Sequence, residues 1–469
     1  MTNSFYFDES KYTIETVEME SRTLVYRAFE QIPYVANPAD EIQKLSIFVP
    51  ETYYEGGSIN GYSLKTAPIF LPNTVGGYLP GPQERPGLAL YLEKPNAAFY
   101  ALLHGYVVVS PGLRGRGMKN KAGENIGMAP AGILDYKAAV RYLHYNTGRI
   151  PGNTRHIISD GTSAGGAMSA LLATTANHPD YDPYLQKMGA LNASDQIFAA
   201  SCYCPITNLE HADAAYEWEF CGHLDYHTAK FIPPAKGEHI PTIIPVEGML
   251  TEQQQAISAE LKKEFIAYLN RLELKDEKGT LLTLDDNGKG PFLDYIAEMI
   301  MQSAQKAFNE GADLSKFDWL TVLNGSVTDI DFPEYISYRT RMKPVPAFDS
   351  LDADYPENEV FAGADVPYRH FTDTGCRNGT NCPKAEEMQI KMMNPMRYIE
   401  DSRAQKAYHF RIRHGAIDRD TSLAVSAMLT LKLQNQGIDA GHDYPWETAH
   451  SGDYDLIELF AWIDQICKE

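Results

Sequence analysis

Two hydrophobic rhythms run along this chain. Up to about residue 60, apolar and polar positions alternate, most cleanly in RTLVYRAF (22–29) and KLSIFVP (44–50). That is the pattern of half-buried antiparallel strands. From residue 67 the pattern changes to short continuous apolar runs at Ala67–Pro72, Gly105–Val109 and Ile197–Cys204, bounded by turn residues. Such runs suit strands covered on both faces, as in a parallel sheet. Helical segments lie between them, near residues 96–103 and at Ile133–Tyr145, where Ile133, Tyr136, Val140 and Leu143 share one face. Strand and helix alternate, which predicts an α/β fold with a mostly parallel central sheet.

The rhythm breaks between residues 206 and 385. Thr251 and Gln254 have capping-box spacing in front of a helix whose Ile257, Leu261, Phe265 and Leu269 share a face. A second helix is predicted over Phe292–Phe308, and the joining loops are rich in Asp, Pro, Gly and Asn. The alternation resumes with a strand at His409–Arg413, a helix at Thr421–Asn435, a short strand near Asp443–Tyr444 and a last helix at Tyr454–Cys467. The expected organisation is a core from 1–205 and 386–469, with 206–385 as a large inserted lid domain over the carboxyl edge of the sheet.

Composition narrows the partners. A chain of 469 residues with 44% apolar content can bury a large core. Its 62 acidic and 41 basic residues leave a net charge of −21, which argues against nucleic acid and anionic membranes. No apolar run is long enough to span a bilayer, and the N-terminal MTNSFYFDESKY lacks the basic and apolar regions of a signal peptide. A cytoplasmic protein, monomeric and acting on a small molecule, is expected. The six cysteines are too scattered for a disulfide framework, although Cys376 and Cys382, which flank RNGTN, could form a small local pair. GLRGRG (112–117) lacks dinucleotide-binding spacing, and Asp285–Gly288 starts a calcium-like loop that no glutamate closes. No metal or cofactor is expected.

One stretch carries chemistry. An apolar run ending at Asp160 meets Gly161-Thr162-Ser163-Ala164-Gly165, and a helix of small residues follows. This is a G-x-S-x-G nucleophile elbow in the right setting, strand before and helix after. Ser163 would be the nucleophile, placed where free helix N–H groups favour developing negative charge. A serine needs a base held by an acid, and in α/β-hydrolases these follow in the order Ser, Asp or Glu, His. After the strand at 409–413 the chain offers Asp418 and Asp420; after the last strand it offers His450. Among the 13 histidines, His104 and His144 fall on helices and His409 in a strand. His414, the best rival, precedes both aspartates, which is the wrong order. Asp418 is therefore the candidate acid and His450 the base. In an extended loop residues two apart point the same way, so Asp420 would also face the site; its alternative is a helix N-cap before Thr421. An oxyanion hole needs two N–H groups: Ala164 supplies one, and the Gly76-Gly77 loop after the strand at Ile69 the other, from Gly77.

Several further motifs resemble one family. VGGYLPG (75–81), GTSAGGA (161–167), YCPITNLEHADAAYEW (203–218), TRMKPVPAFD (340–349), PEN (356–358), RIRHGAIDRDTS (411–422) and HSGDYD (450–455) resemble bacterial tannases. These are α/β-hydrolases that cleave gallic acid esters and hydrolysable tannins. The resemblance implies a triad of Ser163, Asp418 and His450. It also implies a galloyl pocket with Lys343, Glu357 and Asp420 as polar partners and Ile206 and Pro356 flanking the ring. Thr207 is left without a role. The fungal tannase and feruloyl esterase group has cysteines beside its serine and histidine; here Thr162 and Ala449 stand in those places. The expected function is a serine esterase releasing gallate through a galloyl-enzyme. A broader carboxylesterase or feruloyl esterase with the same triad, and a non-catalytic binder of phenolic ligands, remain alternatives.

Overall fold

The computed structural model describes residues 5–89, 94–232 and 242–468. The alternating N-terminal segment pairs as its pattern predicts. Strands β1 (Thr13–Met19), β2 (Arg22–Pro33) and β3 (Lys44–Pro50) form an antiparallel meander, with Thr13 opposite Ala28 and Tyr26 opposite Pro50. The continuous apolar runs become β4 (Pro68–Pro72), β5 (Val107–Pro111), β6 (Asn153–Thr162) and β7 (Ala199–Tyr203). Every residue of β4, β5 and β7 is buried, which is why their sequences need no polar alternation.

Four strands form two separate hairpins: β8 (Asp225–Ile232) with β9 (Thr242–Met249), and β10 (Leu320–Leu323) with β11 (Ser326–Ile330). The chain then returns to the main sheet in β12 (His409–Arg413) and β13 (Asp439–Asp443). The nine-stranded sheet has the order β1-β2-β3-β5-β4-β6-β7-β12-β13, and the six strands from β5 to β13 are mutually parallel. Helices Ala97–His104, Ala131–Tyr145, Ala164–Thr174, Leu423–Asn435 and Leu456–Lys468 accompany it. This is an α/β-hydrolase fold. All eleven residues of Ala164–Thr174 are buried, and their small side chains let that helix sit close to β6 and β7.

The differences from expectation have physical causes. The last strand is Asp439–Asp443 rather than a segment near Tyr444: DAGHD carries no apolar run, and pairing with β12, His409 opposite Asp439, imposes its conformation. The following-loop helix starts at Leu423, capped by Ser422, whose hydroxyl accepts from Ala424 N; Asp420 is not its cap. Between β7 and β12 the capping-box helix Glu252–Arg271 and the helix Pro291–Asn309 appear as predicted. The helix Leu209–Phe220 does not announce itself, because ten of its twelve residues are buried and leave no one-sided stripe. Its Trp218 stacks on Phe265, with ring centroids 5.3 Å apart, so the hydrophobic core continues from the sheet into this region. Cys376 and Cys382 do not pair; both are free, and Cys382 Sγ donates to Tyr368 O. Among the described residues, no helix is long and apolar enough to cross a membrane.

Candidate active site

The carboxyl ends of β4, β6, β7, β12 and β13 deliver every candidate of the core to one edge of the sheet. At the end of β6 the chain turns sharply into a helix, and Ser163 takes φ 61° and ψ −124°. A non-glycine residue in that region is strained by about 1–3 kcal/mol and persists only where its surroundings hold it. They do. Ser163 N donates to Tyr203 O at the end of β7 (2.9 Å), and Ser163 O accepts from Ile206 N (3.2 Å). Gly165 is required by close approach: a Cβ there would lie 2.7 Å from Asn73 Oδ1 and 2.8 Å from Val75 O.

Asn73, just past β4, joins the elbow to the loop of the second oxyanion donor. Its amide donates to Asp160 O (3.0 Å), Gly165 O (3.1 Å) and Ser169 Oγ (3.2 Å), while its carbonyl accepts from Val75 N (3.3 Å). The loop then makes a tight turn, Leu79 N to Gly76 O, with Gly77 and Tyr78 both at positive φ (53° and 57°). Arg116 clamps this turn: its Nε donates to Gly77 O (2.6 Å), its N to Tyr78 O (2.9 Å), and its Nη1 pairs with Glu359 (2.6 Å). Among the described residues, neither Gly77 N–H nor Ala164 N–H is taken by a protein acceptor. Both remain available to an oxyanion. Replacing Asn73 by alanine should lower kcat/KM about 10–100-fold by freeing this loop, with substrate KM little changed; steady-state kinetics on a gallate ester checks it.

The candidate acid and base lie side by side. His450 Nδ1 lies 2.7 Å from Asp418 Oδ2, and Asp418 is fully buried. His414, set aside as base, is a second partner of the same carboxylate: its Nε2 lies 3.3 Å from Asp418 Oδ2 and its Nδ1 2.9 Å from Ser426 Oγ. Burial works to raise Asp418, but the imidazoles of His450 and His414 outweigh it and hold the carboxyl well below the usual range. Burial likewise works to lower His450, yet the carboxylates of Asp418 and Asp420 carry it well above its ordinary value. The loop after His450 abuts the elbow, since a Cβ on Gly452 would overlap Thr162 Oγ1. Among the described residues the Ser163 hydroxyl makes no hydrogen bond; the neighbour of His450 Nε2 is Cys204 Sγ at 4.0 Å. Catalytic hydrogen bonds are often this open before substrate arrives.

The residues expected around a galloyl ring come from four segments. Lys343 Nζ lies 2.6 Å from Asp420 Oδ1 and 4.1 Å from the centre of the Phe348 ring. Asp420 is not presented by an extended loop as expected. Its N–H donates to Asp418 Oδ1 (2.8 Å), so the loop turns at these residues, and the two carboxylates diverge to His450 and Lys343. Glu357 is only 9% exposed, although lid charges normally face water. Its short helix, Pro356–Val360, is anchored by Asn358 Nδ2 to the buried Asp349 (2.7 Å). Burial pushes Glu357 up against the pull of Lys343, whereas Asp420, also opposed by burial, is held down by Lys343 and His450. Pro356 opens that helix at the surface. Ile206 is buried, and its carbonyl accepts from Tyr78 Oη (2.7 Å). Thr207 is buried too, and its hydroxyl has no partner among the described residues.

Comparisons with known proteins agree with this geometry. The family model BD-FAE matches residues 95–218. No curated protein matches the chain. A crystal structure of tannase from Lactobacillus plantarum is 45% identical, with TM-score 0.96, covering 99% of this chain and 100% of its own. Fusobacterium nucleatum tannase is 44% identical, with TM-score 0.93 and 99% of each chain covered. This chain belongs to the bacterial tannase family. A tannin acyl hydrolase in complex with ethyl gallate is 45% identical, with TM-score 0.93 and 99% of each chain covered.

For a tannase, the arrangement has two parts that sequence reasoning did not supply. One is the way Asn73 and Arg116 brace the Gly76–Gly77 loop; the glycines there were legible, their supports were not. The other is a pair of buried ion pairs, Arg341 with Glu217 and Arg339 with Glu219, which lash the strap before Lys343 to the helix Leu209–Phe220. Cys204, Asp418 and His450 also bring a thiol, a carboxylate and an imidazole within 4.8 Å of one another. Asp418 holds the ring through Nδ1 while the thiol lies by Nε2, an arrangement for orienting an imidazole rather than for ligating one ion with all three.

Proposed function

We propose that this tannase hydrolyses galloyl esters to gallate and an alcohol through a galloyl-enzyme formed on Ser163. The observation that carries the reading is that base orientation and galloyl recognition share one loop. Asp418 faces His450, and Asp420, two residues on, faces Lys343. His450 Nε2 takes the proton of Ser163 as the hydroxyl attacks the ester carbonyl. Gly77 and Ala164 N–H groups receive the oxyanion, each donor contributing about 3 kcal/mol to lowering the barrier. His450 then protonates the leaving alcohol, and water, deprotonated by the same imidazole, releases gallate.

The ring's three phenolic hydroxyls meet Lys343, Glu357 and Asp420, with Ile206 and Pro356 on its faces. Lys343 only donates. Asp420, kept ionised beside it, only accepts; Glu357, with its proton more tightly held, can do either. Buried partners of this kind reject an analogue lacking a hydroxyl, because they are then left unpaired. Residues 206–385 act as the lid that carries Lys343 and Glu357 over the elbow, while 1–205 and 386–469 form the hydrolase core. The ethyl gallate complex of the related tannin acyl hydrolase supports the substrate class.

Wild-type enzyme should turn over methyl gallate at least about 100-fold more efficiently than methyl benzoate. Asp420→Asn and Glu357→Gln should each lower kcat/KM on methyl gallate about 100-fold and leave 4-nitrophenyl acetate nearly untouched. Similar losses on both esters would defeat the assignment of these carboxyls to the hydroxyls and leave a general esterase.

A further inference from the structure

Tyr216 lies on the helix Leu209–Phe220 with its side chain fully buried and its hydroxyl saturated. It donates to Arg419 O (3.0 Å) and accepts from both Met342 N and Lys343 N (3.1 Å each). A phenol has one proton and two acceptor positions, and all are used. We infer that the Tyr216 hydroxyl is a positioning group for substrate recognition: by bonding the backbone at Lys343 and the peptide between Asp418 and Asp420, it sets the geometry of the Lys343–Asp420 pair. The inference rests on the reading of that pair as the partner of the galloyl hydroxyls.

The pair does not set its own geometry. Lys343 and Asp420 meet at 2.6 Å with side chains 17% and 23% exposed, but a single ion pair between two flexible side chains fixes their tips and not the backbone that carries them. What is rigid is the scaffold behind it. The Tyr216 ring packs on Phe220 (centroids 4.7 Å apart) and edge-on to Phe348, the ring beneath the Lys343 ammonium. Arg341 lies over the same tyrosine (5.5 Å), is locked in its ion pair with the adjacent Glu217, and donates through Nε to Lys343 O (2.7 Å). The peptide before Lys343 is thus held through its N–H by Tyr216, and the peptide after it through its carbonyl by Arg341. On the other side, the Arg419 carbonyl lies between the acid that orients His450 and the carboxylate that meets Lys343. One hydroxyl therefore keeps the lid strap and the acid loop in register. Burial pushes this phenol up to about 12, so it retains the proton it donates to Arg419.

The test is Tyr216→Phe in the full chain, alone and combined with Asp420→Asn, assayed on methyl gallate and 4-nitrophenyl acetate. The single variant should raise KM for methyl gallate about ten-fold and leave kcat for 4-nitrophenyl acetate within about two-fold. In the Asp420→Asn background it should add nearly nothing, because both changes remove one function. Equal losses on the two esters, or losses that multiply in the double variant, would overturn the inference and leave Tyr216 a structural residue. If Asp420→Asn itself fails to discriminate the esters, the galloyl reading of the pair falls and takes the inference with it. If Asp420→Asn discriminates and Tyr216→Phe does not, the inference falls alone. Should Tyr216→Phe not fold, a fluorinated tyrosine at 216 keeps the ring and makes the hydroxyl more acidic. KM for methyl gallate should then climb with pH in that enzyme only; a profile matching wild type overturns the inference.

Discussion

Ser163→Ala should lower kcat on methyl gallate by about 10⁶-fold while leaving gallate affinity nearly unchanged. The size follows from the serine's proposed place in the reaction: without the nucleophile no acyl-enzyme would form, and only oxyanion donors and substrate binding would remain. Affinity should survive because the groups proposed to hold the ring, Lys343, Glu357 and Asp420, are on other segments and do not lean on the serine hydroxyl, which makes no hydrogen bond among the described residues. Stability should survive as well. The φ of 61° is imposed by the backbone contacts of Ser163 with Tyr203 and Ile206, and alanine bears that strain no worse than serine. Cys204 is the rival nucleophile, with its sulfur 4.0 Å from His450 Nε2. Burial pushes that thiol up, so it stays protonated at neutral pH and is a poor nucleophile. Single-turnover measurement of alcohol release, with calorimetric titration of gallate, checks both halves. A residual rate above about one part in a hundred of wild type would move the nucleophile elsewhere, with Cys204 the first place to look.

How far the sequence could have gone differs between the sheet and the lid. Buried parallel strands write themselves as apolar runs, and β4, β5 and β7 were legible for that reason. β13 was not, since Asp439–Asp443 owes its conformation to β12 alongside it. The elbow was legible because tight packing leaves glycines, and Asp418 and His450 followed from chain order. Lys343 and Glu357 read as ordinary surface charges, and only the family resemblance proposed them for the site; in the structure Glu357 is 9% exposed and the Lys343 side chain 17%. Asp418 and Asp420 are presented by a turn rather than the extended loop their spacing suggested, and their carboxylates part to His450 and Lys343. Tyr216, Asn73 and the Arg341–Glu217 pair left no local signal. Each acts through a partner more than ten residues away in sequence, and burial of a polar group is invisible until that partner is placed.

Asp418→Asn should cost about 10⁴-fold in kcat, more than any substitution in the galloyl pocket. The carboxylate fixes His450 through Nδ1, leaving Nε2 to take the serine proton; an asparagine can present its NH₂ there instead and stabilise the wrong tautomer. The pH profile should move in a defined direction. His450 acts as a base only when neutral, so activity falls as pH drops through its pKa. That pKa is raised: burial pulls it down, but the carboxylates of Asp418 and Asp420 push it up by more. Removing the charge of Asp418 takes away the chief upward influence, and the acid limb of kcat/KM should shift to lower pH. Folding stability carries the complementary sign. Asp418 is held well below an ordinary carboxyl by His450 and His414, against the opposing effect of burial. Its contribution is therefore present above about pH 4, the unfolded carboxyl value, and is lost as pH falls through the folded one. The asparagine variant should be less stable at neutral pH and lose less of its stability on acidification. Rate–pH profiles and denaturant titrations at pH 7 and pH 3 test both. An unmoved acid limb would mean that His450 does not titrate against Asp418 in the working enzyme; His414, 3.3 Å from the same carboxylate, would then be the imidazole to examine.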